Sequence, residues 1–466
     1  MDDPEAFLRP ALEWVARYLG SVRDLPVAAG VSPGEVVRAL PGGPPAEPEE
    51  LATILGDLDR VVLPAVTHWN HPRFFGYFGI TGSLPGIAGE LAAAALNVNG
   101  MLWRTCPAAT ELEEVATRWL ARLLGLPEWF GLIHDTASTS TFTALAAARH
   151  RLDPEIRRRG MAGGTPMAVY ASDQAHSSVD KAVAALGIGT DLLRKVPSDA
   201  ELRMDPQALA AAISADAAAG IRPAAVVATV GTTAATSIDP VEAIAGVCEA
   251  HGVWLHVDAA YAGAAAALPE LRWILQGAER ADSLVVNPHK WLFVPVDCSV
   301  LYLRQPETTR EAFSVVPDFL RSTEDAPNLM DYGIALGRRF RALKLWMVLR
   351  SMGTEGVVGA IREHIRLARL LASWVEEDPD FELAAPVPLS VVNFRYAPPG
   401  VGAEQLDALN EALVEAVAAS GEAFVTTARI GGRTAVHAAV GNLGTTEADV
   451  GALWELVRRL AAPGVG

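Results

Sequence analysis

Polar side chains that could take part in catalysis or ligand binding follow directly after short apolar runs of this sequence. Asp258 ends the run VWLHVD, and Asn287, His289 and Lys290 follow the run SLVV. Ligands in open α/β sheets bind beyond the carboxyl ends of the strands. We therefore expect an amine, a carboxylate and an imidazole to face one common crevice.

Three further segments offer polar groups at the same predicted edge. The run MAVYAS precedes His176, and the run AVVATV precedes Thr233. The segment GLIHDTAS leads into a predicted helix that starts near Thr136, Ala137 and Ser138. The first turn of a helix presents backbone N–H groups and a favourable dipole, which together suit a phosphate group.

Together these residues are the set that pyridoxal phosphate requires. A lysine amine forms the Schiff base with its aldehyde, and an aspartate keeps the pyridine nitrogen protonated so that the ring accepts electrons. An imidazole stacks on the ring face, while helix N–H groups and hydroxyls hold the phosphate. Each residue alone has a more ordinary reading: Lys290 as a surface lysine, Asp258 as a helix cap, and His176 as a core histidine. The combination is far more specific than any single residue.

The composition of the whole chain narrows the possible functions. The 466 residues carry 38 Lys and Arg against 55 Asp and Glu, which gives a formal net charge of −17. Such an acidic balance argues against nucleic-acid binding and against docking on an anionic membrane. The mean hydropathy of +0.22 is high, but the apolar stretches are short and rich in alanine, so no transmembrane helix is expected.

The N-terminus and the cysteines indicate the compartment. The acidic N-terminus MDDPEAFLRP does not resemble a signal peptide. The cysteines Cys106, Cys248 and Cys298 are sparse and odd in number, which is typical of reduced thiols and predicts a cytoplasmic protein. No metal is predicted, because the pair His68 and His71 stands among aromatic residues and a proline rather than among further ligands.

The order of the predicted elements indicates an α/β fold with a mostly parallel sheet. Between about residues 110 and 305, helical segments alternate with short β-rich runs. Ahead of them, two amphipathic helical segments need a surface to pack on, and a partner subunit would supply it. We predict an N-terminal helical segment (1–68), a large ligand-binding domain (69–350) and a small C-terminal α+β domain (351–466).

Several longer motifs resemble the group II pyridoxal-phosphate-dependent decarboxylases, and the aromatic-L-amino-acid decarboxylases most of all. The motifs follow the family's order from about His68 to Gly353: HPRFFGYF, CPAATELEEV, YASDQAHSSVDKA, ATVGTT, HVDAAYAG, NPHKW and LGRRFRALKLW. The resemblance implies fold type I of the pyridoxal-phosphate enzymes, with a mostly parallel sheet flanked by helices and a small C-terminal α+β domain. It also implies a homodimer with the active site at the interface.

The resemblance further implies a role for each matching position. Lys290 would be the Schiff-base lysine, Asp258 would pair with the pyridine nitrogen, and His176 would stack on the ring. Ala260 would pack on the other ring face, and Thr233 would help to position the ring. The phosphate would be held by Ala137, Ser138, Asn287 and His289. The substrate cavity would be lined by Trp69, Tyr77 and Phe78.

The largest departure from the family pattern concerns the product. Phe319 stands where these decarboxylases carry a loop tyrosine associated with protonating Cα, and phenylalanine has no O–H to donate. In plant members, phenylalanine at this position accompanies an O2-consuming reaction that yields an aldehyde, ammonia and hydrogen peroxide. A proton from His176 or from water would instead preserve the amine.

We therefore predict a pyridoxal-phosphate-dependent carboxy-lyase that acts on an aromatic L-amino acid and releases CO2 and an amine. An aromatic aldehyde synthase is the alternative, because of Phe319. A second alternative is another enzyme of fold type I, such as an aminotransferase.

Other departures concern the predicted substrate pocket and the phosphate site. Asn99 and Met101 stand where the aromatic decarboxylases have larger or more apolar residues, and Gly79 with Ile80 replaces a Pro-Thr pair. In the plant branch, a glycine at the position of Gly337 accompanies bulky indole substrates. Separately, Asp135 places a carboxylate beside the predicted phosphate site, which is unfavourable unless this side chain points away or caps the helix.

Overall fold

The computed structural model describes residues 3–315 and 326–461. The chain divides into two units. The first unit comprises the described parts of Met1–Gly79, Leu367–Ala384 and Val392–Gly466, and the second comprises those of Ile80–Arg366 and Ala385–Val391. The predicted boundaries near residues 68 and 350 stay a prediction.

The second unit is built on a seven-stranded sheet among the described residues, in the order β1-β7-β6-β5-β4-β2-β3. Its strands are β1 (Phe130–His134), β2 (Met167–Ser172), β3 (Leu193–Val196), β4 (Arg222–Thr229), β5 (Trp254–Asp258), β6 (Ser283–Val286) and β7 (Ser299–Leu303). The strands β2 to β6 are paired in parallel, whereas β7 runs antiparallel to both of its neighbours, β1 and β6. The carboxyl ends of β1, β2, β4, β5 and β6 therefore meet at one edge.

Helices connect these strands and extend the chain on both sides of them. They are α1 (Pro4–Ser21), α2 (Glu35–Ala39), α3 (Leu51–Asp57), α4 (Leu84–Leu96), α5 (Pro107–Leu124), α6 (Ala137–Leu152), α7 (Ile156–Arg159), α8 (Ser178–Ala185), α9 (Pro206–Ala218), α10 (Val241–His251), α11 (Pro288–Trp291), α12 (Pro306–Phe313), α13 (Ala342–Glu377), α14 (Ala403–Ser420) and α15 (Glu447–Ala461). Gly353 interrupts α13 with a φ of +61° and a ψ of 175°, a conformation that glycine adopts without the Cβ clash of other residues.

The strands of the second unit are buried and apolar because helices cover the sheet. Every residue of β2, β5, β6 and β7 is buried, as expected for strands packed on both faces. One apolar cluster joins Leu145 of α6 and Val183 of α8 to Val169 of β2 and Val227 of β4. This packing holds the start of α6 at the edge where the strands end.

The first unit contains a four-stranded sheet among the described residues, in the order β10-β11-β9-β8. Its strands are β8 (Phe381–Leu383), β9 (Val391–Tyr396), β10 (Thr426–Ile430) and β11 (Arg433–Ala439), of which Val391 belongs to the second unit. The antiparallel pairs β8–β9 and β10–β11 form the small sheet expected near the C-terminus.

The predicted fold class is confirmed, although several elements differ from expectation. The strands β3, β8 and β10 were not predicted, since each is short and only partly buried. The second N-terminal segment is a regular α-helix over Leu51–Asp57 alone and continues in wider and tighter turns. Among the described residues, no helix is long and apolar enough to cross a membrane.

Candidate active site

The predicted cofactor residues of the second unit follow strands that end at one edge of the sheet. His176 follows β2, Thr233 follows β4, Asp258 ends β5, and Lys290 lies in the short helix after β6. In the ladder, Asp258 pairs with Thr229 of β4 on one side and with Val285 of β6 on the other. The topology therefore brings together residues that are far apart in the sequence.

Asp258 and Lys290 form the centre of this group. The buried Asp258 carboxylate accepts a hydrogen bond from the Ala260 N–H at 3.1 Å. The Asn287 N–H donates to the Ala260 carbonyl at 3.0 Å, and the Lys290 N–H donates to the Asn287 carbonyl at 2.9 Å. These bonds tie the segment after β5 to the segment after β6.

The electrostatic environment of Lys290 suits a nucleophilic amine. Burial lowers the pKa of Lys290 below its ordinary value, although the negative charge of Asp258 acts in the opposite direction. A lowered pKa leaves more neutral amine near pH 7, and the neutral form is the one that attacks an aldehyde.

His176 is held in one orientation and one tautomer. The Ser178 N–H donates to its Nδ1 at 3.1 Å. A ring nitrogen that accepts carries no proton, so the neutral imidazole has its proton on Nε2. Loss of hydration lowers the pKa of His176, and the charge of Lys290 lowers it further while Asp258 opposes both. His176 is therefore neutral near pH 7, with an N–H at Nε2 that can be donated.

Asn287 and His289 form a second pair whose protonation follows from its contacts. The Cys298 N–H donates to His289 Nδ1 at 2.8 Å, and burial is the main cause that lowers the pKa of His289 to about 4. The proton of this neutral ring therefore lies on Nε2, which is 3.4 Å from the Asn287 amide nitrogen. Two donors do not bond to each other, so we assign the Asn287 amide the flipped orientation, in which its oxygen accepts from His289.

The same flip changes the atom that the Asn287 side chain presents at an unpartnered position. In the unflipped orientation, the buried Asn287 Oδ1 has no hydrogen-bond partner among the described residues. In the flipped orientation the amide N–H groups take that place and become donors, which is what an anionic ligand needs.

The start of α6 offers a further set of donors. Its N-cap residue Thr136 makes no side-chain hydrogen bond to the first turn within the described residues, and Ser138 is exposed. The Asp135 carboxylate, which was predicted to be unfavourable beside a phosphate, accepts the Thr136 N–H at 2.7 Å, one residue ahead of the helix. Asp135 thus removes one donor and leaves Ala137 and Ser138 at the N-terminus of α6.

These features fit pyridoxal phosphate. The site offers an amine with a lowered pKa, a buried carboxylate, and an imidazole whose pKa is affected by the charges of both. It also offers the Asn287 amide N–H groups, which His289 orients, and the start of a helix without a side-chain cap. The individual roles of these residues stay predictions.

The residues predicted to line the substrate cavity fall into two groups. In the second unit, Asn99 Oδ1 accepts the Arg338 N–H at 2.9 Å, and Asn99 Nδ2 lies 3.5 Å from Met101 Sδ. A Cβ atom at Gly337 would come within 3.8 Å of the same Asn99 amide. The structure therefore brings Asn99, Met101 and Gly337 together.

The first unit holds the other group. The rings of Trp69 and Tyr77 stack with centroids 5.5 Å apart, and Phe78 is buried. Tyr77 has a φ of +54°, which is rare for a tyrosine. His437 Nε2 lies 2.9 Å from the Tyr77 carbonyl and donates to it, which helps to hold this backbone conformation. Backbone strain of this kind is common at functional sites.

Sequence reasoning missed a buried ion pair that supports the second unit's site. The Glu113 carboxylate accepts from the Arg338 guanidinium at 2.5 Å and from the Ile133 N–H at 2.7 Å. The same guanidinium donates to the Ile133 carbonyl at 3.1 Å, next to the last residue of β1. The pair thus links the start of the predicted phosphate site to the loop that holds Asn99 and Gly337. Its only signal in the sequence is that both residues lie in family motifs.

The structure does not test the predicted role of Phe319 or the expected absence of a metal ion. Phe319 lies outside the described residues, so its predicted place in a loop stays a prediction. Within residues 3–315 and 326–461, no group of three or more His, Cys, Asp or Glu side chains could hold a metal ion.

Comparisons with known proteins bear directly on this site. A family model described as the pyridoxal-dependent decarboxylase conserved domain matches residues 33–397. A phenylacetaldehyde synthase of Rosa hybrid cultivar is 38% identical, with 98% of this chain and 94% of the relative covered. An aromatic-L-amino-acid decarboxylase of Rattus norvegicus is 37% identical, with 97% of this chain and 96% of the relative covered. A solved structure of Oryza sativa TDC with PLP and tryptamine superposes with a TM-score of 0.94 at 37% identity, covering 99% of this chain and 98% of that one.

Proposed function

The chain belongs to the pyridoxal-dependent decarboxylase family, and we propose that it removes the carboxyl group of an aromatic L-amino acid to release CO2 and an amine. The observation that carries this proposal is the grouping of Lys290, Asp258 and His176 beyond parallel strands of one sheet. Relatives named tryptophan and tyrosine decarboxylases support an aromatic substrate. When bound, pyridoxal phosphate supplies an electron sink for the pair of electrons left when CO2 departs.

Each side chain of the site has a proposed task. Lys290 would hold the cofactor covalently, since burial leaves part of its amine in the neutral form that reacts with an aldehyde. Asp258, anchored by the Ala260 N–H, stabilises a proton on the pyridine nitrogen. Ala137, Ser138 and the Asn287 amide would donate hydrogen bonds to the phosphate, and His289 would orient that amide. Thr233 and Ala260 would fix the place of the ring.

The decisive proton is the one delivered to Cα after CO2 has left. Among the described residues we assign it to His176, whose Nε2 carries the proton because Nδ1 accepts from Ser178. His176 would also stack on the ring of the bound cofactor. A neutral imidazole is a weak acid, so delivery depends on close placement rather than on acidity.

A second candidate function is favoured by one residue. Phe319 has no O–H, and a relative of similar identity is named a phenylacetaldehyde synthase. In that reaction one O2 and one H2O are consumed for each amino acid, and CO2, NH3, H2O2 and the aldehyde are released. If this candidate holds, Phe319→Tyr should move the product from aldehyde towards amine.

Product accounting decides between the two candidates. With tryptophan, phenylalanine, tyrosine and dihydroxyphenylalanine, we expect amine and CO2 in equal amounts for the preferred substrate, without peroxide. Measurement of CO2, amine, aldehyde and peroxide in the same reaction checks this expectation. Aldehyde and peroxide in amounts equal to CO2 would establish the second candidate instead. Transfer of the amino group to an added keto acid would contradict both and indicate an aminotransferase.

We also propose that the chain forms a homodimer. The described part of α1 is exposed or half-buried throughout, and it presents Phe7, Leu8 and Leu12 to solvent. The helix α4 exposes Leu84 and Leu91 on one face in the same way. Exposed apolar surface of this extent is typical of subunit interfaces.

Light scattering should give about twice the 49.3-kDa mass of the chain. The variant Leu12→Glu should weaken the dimer because it would bury a charge, whereas the control Glu13→Gln should not. A monomer at all concentrations that support activity would contradict the proposal. The cytoplasmic location expected from three unpaired cysteines stays a prediction.

A further inference from the structure

We propose that Tyr261 and Trp291 form a positioning pair that sets the Lys290 amine against the Asp258 carboxylate. The inference rests on the proposed roles of Lys290 and Asp258. It assigns a task to two residues that contact each other, rather than to residues proposed to contact the cofactor.

The pair begins where the backbone ladder ends. A backbone bond joins Ala260 to Asn287 just beyond the paired residues of β5 and β6, but Lys290 lies three residues further on. Tyr261 follows Asp258 by three residues, and Trp291 is the neighbour of Lys290. A contact between the two rings therefore joins the two chain segments beyond the reach of the ladder.

The two rings stack closely and are almost completely buried. Their centroids are 4.9 Å apart with an angle of 3° between the ring planes. Tyr261 is 1% exposed and Trp291 is 0% exposed. Parallel aromatic rings at this separation are in favourable contact, and a close-packed interior leaves them little freedom to slide.

Both rings are also fixed at their polar ends. The Tyr261 hydroxyl lies 2.5 Å from the Ser390 hydroxyl, and the Trp291 Nε1–H donates to His364 Nδ1 at 3.0 Å. The ring of His364 packs edge-on against Phe293, with centroids 5.8 Å apart. Neither ring can rotate or shift without breaking a buried hydrogen bond, which is costly when water cannot replace it.

The turn that carries Tyr261 packs tightly against the end of β6. A Cβ atom at Gly263 would lie 2.9 Å from Val286 Cγ2 and 3.0 Å from the Ala259 Cβ. Only glycine allows this approach, so the backbone after Asp258 is pressed onto the strand that leads to Lys290. Backbone contact and ring stacking therefore act on the same two segments.

Loosening the pair should change the environment of Lys290 in a defined direction. A smaller side chain at either position would open space beside the segment that carries Lys290 and leave Ser390 or His364 without its buried partner, which would admit water. Hydration favours a charged amine, so a pKa that burial lowers should rise. A shift of a few tenths of an ångström also matters, because productive geometry at such sites is held within about 0.5 Å.

The test uses the cofactor-loaded protein and the visible absorbance of its covalent adduct with Lys290. The absorbance is followed as a function of pH, and its midpoint is the pH at which half of the adduct has formed. In Tyr261→Leu and Trp291→Leu, this midpoint should rise by about one unit. The dissociation constant of pyridoxal phosphate should rise about tenfold. Tyr261→Phe keeps the stacked ring but loses the bond to Ser390, so both measurements should change in the same direction by a clearly smaller amount.

Tyr170→Leu is the matched control. Tyr170 is 0% exposed on β2, and its hydroxyl donates to Asp216 at 2.8 Å. This variant should lose comparable thermal stability without moving the absorbance midpoint. An equal shift in Tyr170→Leu would show general loosening and overturn the proposal.

Unchanged midpoints and cofactor affinities in folded Tyr261→Leu and Trp291→Leu would likewise overturn the proposal. If the leucine variants do not fold, Trp291→Phe takes their place and should shift the midpoint by a smaller amount in the same direction. No shift in Trp291→Phe would then count against the pair. The variant Lys290→Ala distinguishes failure of the proposed function from failure of the pair. An adduct that survives in Lys290→Ala contradicts the proposed function. Loss of the adduct there, together with unchanged midpoints in the leucine variants, contradicts the pair alone.

Discussion

Replacing Lys290 by alanine is expected to abolish the visible absorbance of the cofactor-loaded protein and to lower decarboxylation by at least about 10³-fold. The alanine side chain has no amine, so the cofactor cannot be held covalently at the end of β6. The residues of the proposed phosphate site, Ala137, Ser138, Asn287 and His289, remain in this variant. We therefore expect the cofactor still to bind, with lower affinity and with the spectrum of a free aldehyde.

The appropriate control is another lysine of the same chain. Lys195 pairs with Asp180 on the surface at 2.9 Å, and Lys195→Ala should leave both the absorbance and the activity unchanged. Added small primary amines should partly restore turnover in Lys290→Ala, because they replace the missing nucleophile. An intact absorbance in Lys290→Ala would contradict the assignment of Lys290 and would point to another lysine.

The centre of the site could be predicted because it depends on local sequence patterns. Asp258 and Lys290 each follow a short apolar run, and both runs are buried parallel strands in the structure. Parallel strands that are covered on both faces read as continuous apolar segments, so their ends are visible in the sequence. The order of the strands in the sheet is what places these ends side by side.

The supporting contacts could not be predicted, because they join residues that are far apart in the chain. Glu113 and Arg338 are 225 residues apart, and their pairing depends on the place of β1 in the sheet. The stacking of Tyr261 on Trp291 likewise depends on the adjacency of β5 and β6. Motif matching located all four residues but did not reveal their contacts.

Protonation states were beyond sequence reasoning for a similar reason. The tautomer of His176 follows from the Ser178 N–H two residues away, and that of His289 from the Cys298 N–H nine residues away. Both bonds exist because a turn brings a backbone N–H to a ring nitrogen. Sequence reasoning proposed His176 as a proton donor, and the structure adds the nitrogen from which the proton would come.

The second large effect is expected for Asp258→Asn, with a fall in kcat of about 10²–10³-fold. Asparagine is nearly the same size and can still accept from the Ala260 N–H, so the fold and the phosphate contacts should persist. It carries no negative charge, however, and cannot stabilise a proton on the pyridine nitrogen. The cofactor's capacity to accept electrons should therefore fall, while the covalent link to Lys290 remains.

Asp258→Asn also removes the one negative charge that raises the pKa of Lys290 against the effect of burial. The pKa of the Lys290 amine should therefore fall further, which moves the pH dependence of cofactor attachment to lower pH. This direction is opposite to the rise expected for Tyr261→Leu, so a pH titration of the absorbance distinguishes a lost charge from a loosened site. Asp173→Asn, an exposed carboxylate after β2 at the same edge, is the matched control and should change neither kcat nor the titration. Wild-type kcat in Asp258→Asn would mean that the ring nitrogen does not need this carboxylate, and the proposed electron sink would then have to be stabilised by another group.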